Sequence, residues 1–277
     1  MRIARFNFSQ VGFILEDVIY DVTSLVPSKN TLDVLSFLEV MSSAQLDEVK
    51  GTVSAFKLSE VHLNSPIGNA SKVVAAPINY KAHVEEMQSN GQAFGHIITD
   101  IRKAGLFLKA PSSVVGPSDG IKQRFLDRRT DHEIELCAVI GKVTSRVSKE
   151  AALDHVAGYC LGLDITVRGS EDRSFRKSID TYTVLGPCLV TADEGIDPTN
   201  IDLKLSVNGV IQQDANTSDM VMSVAELIEY ASGFYTLLPG DILMTGTPQG
   251  VGPIRPGDVL MASAQGLGSM TVKVREA

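Results

Sequence analysis

Residues 133–141, Glu-Ile-Glu-Leu-Cys-Ala-Val-Ile-Gly, place two carboxylates at the mouth of a stretch that is apolar on both strand faces. A strand with one face in water alternates apolar and polar residues. An uninterrupted apolar run demands cover on both sides, so this segment must be an interior strand of a layered sheet. Glu133 and Glu135 are two apart and share a face, while His132 and Ile134 take the other. An isolated Glu-x-Glu usually marks a solvated strand face. Here the apolar continuation carries the pair toward the interior, where two like charges need a positive partner. A divalent cation is the simplest one, and oxygen-only donors select a hard ion, Mg²⁺ or Mn²⁺. Asp164 stands at the edge of a second apolar stretch, residues 162–168, and on its own would read as a turn residue or a cap. His132-Glu133-Ile134-Glu135-Leu136 is not a zinc-protease motif, because the second histidine of His-Glu-x-x-His is missing.

The remainder of the chain predicts an α+β protein. Residues 2–6, 11–15 and 18–22 alternate as short strands separated by turn material, Ser9-Gln10 and Glu16-Asp17. Helical spacing follows over 31–60, and the polar, turn-rich run at 63–69 reads as a linker. This divides the 277 residues into a small N-terminal α+β module, 1–70, and a main domain, 71–277. In the main domain a helical stretch is expected at 80–90, and strands at 106–109, 133–141, 203–209, 241–246 and 259–262. Asn208-Gly209 signals a hairpin turn whose two central residues need positive φ. Helices are expected at 148–156 and at 223–234, the second opened by a capping box of Ser223 and Glu226. Helices and strands do not alternate regularly, so the pattern favours a mixed, mostly antiparallel α+β architecture over a doubly wound parallel sheet.

Composition excludes several partner classes. A formal net charge of −8 disfavours nucleic acid, which basic surfaces hold. No apolar run approaches the roughly 20 residues of a membrane span, and the N-terminus lacks a signal-peptide core, so a cytoplasmic setting is expected. Cys137, Cys160 and Cys188 are far apart among apolar neighbours and read as buried structural thiols. The tail 246–252 is glycine-rich, yet it lacks the Gly-Lys-Ser/Thr of a phosphate loop.

Six ordered blocks over about 73–275 resemble the fumarylacetoacetate hydrolase family. They are Asn79-Tyr80 with His83 and Glu86; Phe107-Leu108-Lys109-Ala110-Pro111-Ser112-Ser113; and Asp131-His132-Glu133-Ile134-Glu135-Leu136 with Val139-Ile140-Gly141. The others are Ala157-Gly158-Tyr159 with Leu163 to Arg168; Lys177-Ser178-Ile179-Asp180-Thr181 with Leu185-Gly186-Pro187; and Pro239-Gly240-Asp241 through Thr245-Gly246-Thr247-Pro248-Gln249-Gly250-Val251-Gly252. The resemblance implies a mixed β-roll main domain, a homodimer, and Mg²⁺ or Mn²⁺ on Glu133, Glu135 and Asp164. It implies a catalytic dyad of His83 and Glu86 on a lid helix, where a spacing of three puts both on one face. It further implies Lys177 as a catalytic cation and Lys109, Arg168, Thr247 and Tyr80 as substrate-binding residues. The expected reaction is metal-dependent hydrolysis of a C–C bond in a β-diketo acid of the acylpyruvate type, such as maleylpyruvate or fumarylpyruvate. Oxaloacetate-type decarboxylation, hydroxymuconate isomerisation or decarboxylation, and a non-enzymatic dicarboxylate-binding dimer are the alternatives. One segment departs from the pattern. Where the family often has Ala-Arg-Asp-x-Gln, this chain has Val167-Arg168-Gly169-Ser170-Glu171, followed by a short connection to Lys177. His62, His96, His132 and His155 lack comparable context and read as structural or surface residues.

Overall fold

Three antiparallel strands open the chain where alternation predicts them: β1 (Arg2–Phe6), β2 (Gln10–Leu15) and β3 (Val18–Asp21). The computed structural model describes residues 1–27, 34–42, 45–83, 85 and 101–277. Among the described residues of 31–60, the α-helical spacing is realised as two single turns, Leu35–Leu38 and Leu46–Val49, and then β4 (Ala55–Lys57) pairs with β3 ahead of a 3-10 turn, Leu58–Glu60. Gly51-Thr52-Val53-Ser54 is a poor helix former, and turns this short persist only because Phe37 and Leu46 pack under the meander.

The strands that follow are β5 (Val73–Ala75), β6 (Phe107–Lys109), β7 (Val114–Val115), β8 (Ile121–Gln123), β9 (Thr130–His132) and β10 (Ile134–Ile140). Next come β11 (Val156–Asp164), β12 (Thr166–Val167), β13 (Thr183–Thr191), β14 (Asp202–Val207) and β15 (Val210–Asn216). The chain ends with β16 (Ile242–Met244), β17 (Gly252–Pro253), β18 (Val259–Ala264) and β19 (Gly268–Glu276). The expected helix at 148–156 forms as an α-helical turn, Lys149–Ala152, continued by a 3-10 turn, Leu153–His155, and Val156 already begins β11. The helix Val224–Phe234 forms as expected, with both hydrogen bonds of the Ser223–Glu226 capping box in place. Asn208 and Gly209 both have positive φ between β14 and β15, as their hairpin requires.

The architecture is α+β and sheet-dominated. The largest sheet runs β4-β3-β2-β1-β13-β11-β10-β16-β5-β6, with β7 alongside β13. The N-terminal meander joins it through Ile3 opposite Leu189. A second sheet runs β15-β14-β18-β19-β8, and a short one runs β12-β9-β17. The two faces of β10 enter different cores. Ile134, Leu136, Ala138 and Ile140 pack into the main cluster, whereas Cys137 and Val139 join Cys160, Leu185 and Met244 on the other side. That is the two-sided cover the apolar run demands. The three cysteines are free and buried.

Candidate active site

The register between β10 and β11 assembles the carboxylates. Ile134 pairs with Leu163 and Glu135 with Gly162. The Asp164 amide donates to the Glu133 carbonyl at 2.8 Å, so Glu133, Glu135 and Asp164 fall on the Cys137 and Cys160 side of the sheet. Their carboxylate oxygens lie within 4.8 Å of one another, and all three residues are buried. Glycine is needed opposite Glu135, since a Cβ on Gly162 would meet Cys137 Sγ at 2.4 Å. Glu133 lies just before β10, in the break after β9, with its carbonyl held by the Asp164 amide.

Three cations pair with this cluster. Lys177 Nζ donates to Glu133 Oε2 at 2.7 Å, Asp164 Oδ2 at 2.6 Å and Thr166 Oγ1 at 2.7 Å. Lys109 Nζ donates to Asp164 Oδ1 and, at 2.9 Å, to the Tyr182 carbonyl. Arg168 joins Glu133 Oε1 at 3.0 Å to Asp131 Oδ2 at 2.6 Å. Burial alone would raise the Glu133 carboxyl, but Lys177 and Arg168 outweigh it and hold the group at about 2. Glu135 goes the other way. Burial, and then the charge of Asp164, push its carboxyl well above the usual range.

Glu135 Oε2 accepts the Gly246 amide at 2.7 Å, while its Oε1 is buried with no hydrogen-bond partner among the described residues. An orphaned buried carboxylate oxygen carries a large cost unless a cation meets it. An oxygen-only donor set, three clustered carboxylates and this orphaned oxygen together fit a hard divalent cation.

The glycine-rich tail serves the cluster through its backbone. Gly246 has φ +93°, and a Cβ there would meet Asn79 Cβ at 2.8 Å. Asn79 in turn donates to the Thr245 and Met222 carbonyls at 2.9 and 2.8 Å, which pins the segment bearing Tyr80 and His83 to the tail. Gly246→Ala is expected to cost about 1–3 kcal/mol through strain at this φ. It should also lower Mn²⁺ affinity by turning the amide away from Glu135; thermal melts with and without Mn²⁺ measure both effects.

Sequence reasoning overlooked Gln213. Its Oε1 accepts from the Ile134 amide at 3.0 Å, and its Nε2 donates to Thr247 Oγ1 at 2.8 Å and the Pro248 carbonyl at 2.9 Å. It thereby couples β10 to the tail. Nothing local marks it, because a strand glutamine after a hairpin looks like surface; only its burial reveals the role.

The other expected site residues fall around this centre as follows. Tyr80 is fully buried, its hydroxyl without a hydrogen-bond partner among the described residues. Burial, and then Glu135, push that phenol's pKa up. Thr247 is buried and accepts from Gln213, which leaves its own proton to donate elsewhere. His83 is buried in a helical stretch, within electrostatic reach of the Glu133 carboxyl. Glu86 and His96 lie outside the described residues. His62 bonds Asp119 at 3.0 Å, His155 bonds Thr144 Oγ1 at 2.9 Å, and His132 faces Gln213, all away from the carboxylate oxygens.

The divergent 169–176 segment is fastened down. Arg128 forms a two-pronged pair with Glu171, at 2.9 and 2.8 Å, and also donates to the Arg168 carbonyl at 2.8 Å. A Cβ on Gly169 would stand 2.0 Å from Arg128 Nη2. The acid at the expected glutamine position is thus engaged by Arg128, and glycine leaves room for that contact.

Residues 72–275 match the family described as fumarylacetoacetate (FAA) hydrolase, C-terminal. Over 286 aligned positions, 99% of this chain and 99% of the relative, the sequence is 44% identical to maleylpyruvate hydrolase of Aquipseudomonas alcaligenes. The crystal structure of maleylpyruvate hydrolase from Sphingobium sp. SYK-6 in complex with manganese(II) ion and pyruvate is similar along the whole of both chains, with TM-score 0.86 and 35% identity. A mitochondrial oxaloacetate tautomerase of Xenopus laevis is 34% identical over 98% of this chain and 89% of its own.

Proposed function

This chain belongs to the fumarylacetoacetate hydrolase family, and we propose that it hydrolyses a C–C bond in an acylpyruvate to give pyruvate and a carboxylic acid. The observation that carries this reading is the cluster of Glu133, Glu135 and Asp164 with the Lys177 ammonium against two of its members. Likeness to maleylpyruvate hydrolases over nearly the full chain favours hydrolysis over decarboxylation or isomerisation.

Glu133, Glu135 and Asp164 would hold Mg²⁺ or Mn²⁺, which when bound supplies Lewis-acid polarisation and a template for the 2-oxo acid end. His83, oriented by Glu86, takes a proton from water. The resulting hydroxide adds to the distal carbonyl, and the bond between that carbon and the pyruvyl methylene breaks. Its electron pair leaves as the enolate of pyruvate, beside the preorganised charge of Lys177, and is protonated to the ketone. Thr247 donates its hydroxyl proton to the substrate carboxylate, and the neutral Tyr80 phenol donates within the pocket. Lys109 and Arg168 offset substrate charge while holding Asp164 and Glu133 in place. The first 70 residues act as a small module on the edge of the sheet, and the protein works as a homodimer in the cytoplasm. No helix among the described residues is long and apolar enough to cross a membrane.

Maleylpyruvate or fumarylpyruvate is expected to yield pyruvate with Mn²⁺ or Mg²⁺, and EDTA to stop it. His83→Ala should reduce hydrolysis by about 10²–10⁴-fold, the range for a lost general base. Full turnover in EDTA would sink the proposal. Undiminished turnover in His83→Ala would remove the water-activating dyad from it. Light scattering tests the dimer.

A further inference from the structure

The strand β12 and the helix Arg173–Lys177 are joined by the loop 168–172, and three guanidiniums around it, those of Arg128, Arg168 and Arg176, are occupied. Arg168 bonds Asp131 and Glu133, Arg128 bonds Glu171, and Arg176 donates to the Glu171 carbonyl at 2.8 Å. Lys177, at the other end of the helix, is occupied by Glu133 and Asp164. Arg173 differs. It is half-buried, and among the described residues its guanidinium has no hydrogen-bond or ion-pair partner, although Asp172, Glu133 and Asp164 act on it electrostatically. It lies 5.8 Å from the centre of the Phe107 ring, and Lys177 Nζ lies 5.5 Å from the same ring. A separation of four along the helix explains this, since both side chains then project from one face. The adjacent Asp172 does not neutralise Arg173 through a side-chain bond, because its carboxylate caps the helix by accepting the Ser174 amide at 2.8 Å.

The placement is built rather than loose. The Arg128–Glu171 pair, the absent Cβ of Gly169 and the Asp172 cap all fasten the turn immediately before Arg173. A guanidinium held beside a buried ring, within electrostatic reach of the carboxylate centre and hydrogen-bonded to no anion among the described residues, suits a planar carboxylate. The charges agree. Three carboxylates on a divalent cation leave a net −1, and the cations in contact with them are already engaged. A substrate bearing one carboxylate on its 2-oxo end and another on its acyl end brings a second anionic group, and Arg173 offers it a guanidinium whose donors no described residue takes up. Resting on the hydrolase reading above, we infer that Arg173 binds the distal carboxylate of the substrate and so selects acylpyruvates whose acyl part is itself acidic.

The test compares an acid-ended substrate, maleylpyruvate, with the neutral acetylpyruvate in the Mn²⁺-loaded wild type, Arg173→Gln and Arg173→Lys. Arg173→Gln is expected to raise KM for maleylpyruvate by about 30–100-fold, the scale of a lost charge-assisted pair. Its kcat on that substrate, and its kcat/KM on acetylpyruvate, should stay within about twofold, and Arg173→Lys should fall between. Inhibition by maleate should weaken in parallel, while inhibition by pyruvate stays constant. Equal losses on both substrates, or an unchanged preference in the variants, would overturn the inference. If the wild type hydrolyses neither substrate, the hydrolase reading has failed. Calorimetric binding of maleate to Mn²⁺-loaded wild type and Arg173→Gln then still decides on Arg173: tighter binding by the wild type supports it, and equal binding refutes it.

Discussion

Glu135→Gln is expected to abolish metal-supported turnover while leaving the metal-free protein at least as stable as the wild type. Glu135 is fully buried, and burial followed by the charge of Asp164 raises its carboxyl well above the ordinary glutamate range. A folded-state pKa above the unfolded one means that the native state holds the proton more tightly. The stability this confers is complete below about 4.5 and is lost as pH rises through the folded value. At neutral pH the ionised Glu135 therefore weighs against folding unless a cation meets it. Glutamine removes that charge at nearly the same volume and still offers its carbonyl oxygen to the Gly246 amide. The metal centre loses one of three anionic donors, and kcat/KM should fall by about 10²–10³-fold or more. Two melts settle it: Mn²⁺ should stabilise the wild type strongly and the variant hardly at all. A variant that melts far below the metal-free wild type, or that keeps its response to Mn²⁺, would contradict this account. Metal binding by the wild type should also tighten with rising pH, because the cation must displace a proton.

Lys177→Met should lower both stability and activity, with a distinct signature. Its ammonium contacts Glu133, Asp164 and Thr166, so methionine leaves two buried carboxylates without their main partner. Breaking a buried pair from one side costs about 3–5 kcal/mol. The pH dependence follows from Glu133, which Lys177 and Arg168 hold at about 2 against the opposing effect of burial. A depressed pKa contributes stability that is complete above the unfolded value and is lost as pH falls through the folded one. The wild type should therefore lose this contribution between about pH 4.5 and 2, and the variant should show little of that acid limb. Activity should drop by about 10²–10³-fold, since the developing enolate loses its nearest fixed cation. Mn²⁺ should restore part of the stability and little of the turnover. A variant whose stability and acid limb match the wild type would show that Lys177 is not the counter-charge.

Much of this was legible in the primary structure. Local alternation located β1, β2 and β3, the hairpin at Asn208-Gly209 and the capping box at Ser223, because each depends on neighbours only a few residues away. The two-sided apolar run after Glu135 specified an interior strand before any partner was known. Glu133 and Glu135 shared a face by strand geometry, and the ordered motifs tied them to Asp164, Lys177 and the glycine-rich tail. Periodicity overextended the helix in 31–60, where the described residues form single helical turns held by packing, and it carried the helical turns of 149–155 one residue too far, into Val156, which pairs in a sheet.

What the sequence could not contain is register. Asp164 reaches Glu133 only because Ile134 pairs with Leu163, a contact between residues far apart in the chain. Gln213 becomes the coupling between β10 and the tail only once a second sheet packs against the first. The state of charge was equally hidden. Two glutamates on one strand face have similar intrinsic chemistry, yet Lys177 and Arg168 lower one carboxyl while burial and Asp164 raise the other. Residue type and spacing set which groups could form the centre; long-range pairing and desolvation decided which of them meet, which are neutralised and which remain to receive a ligand.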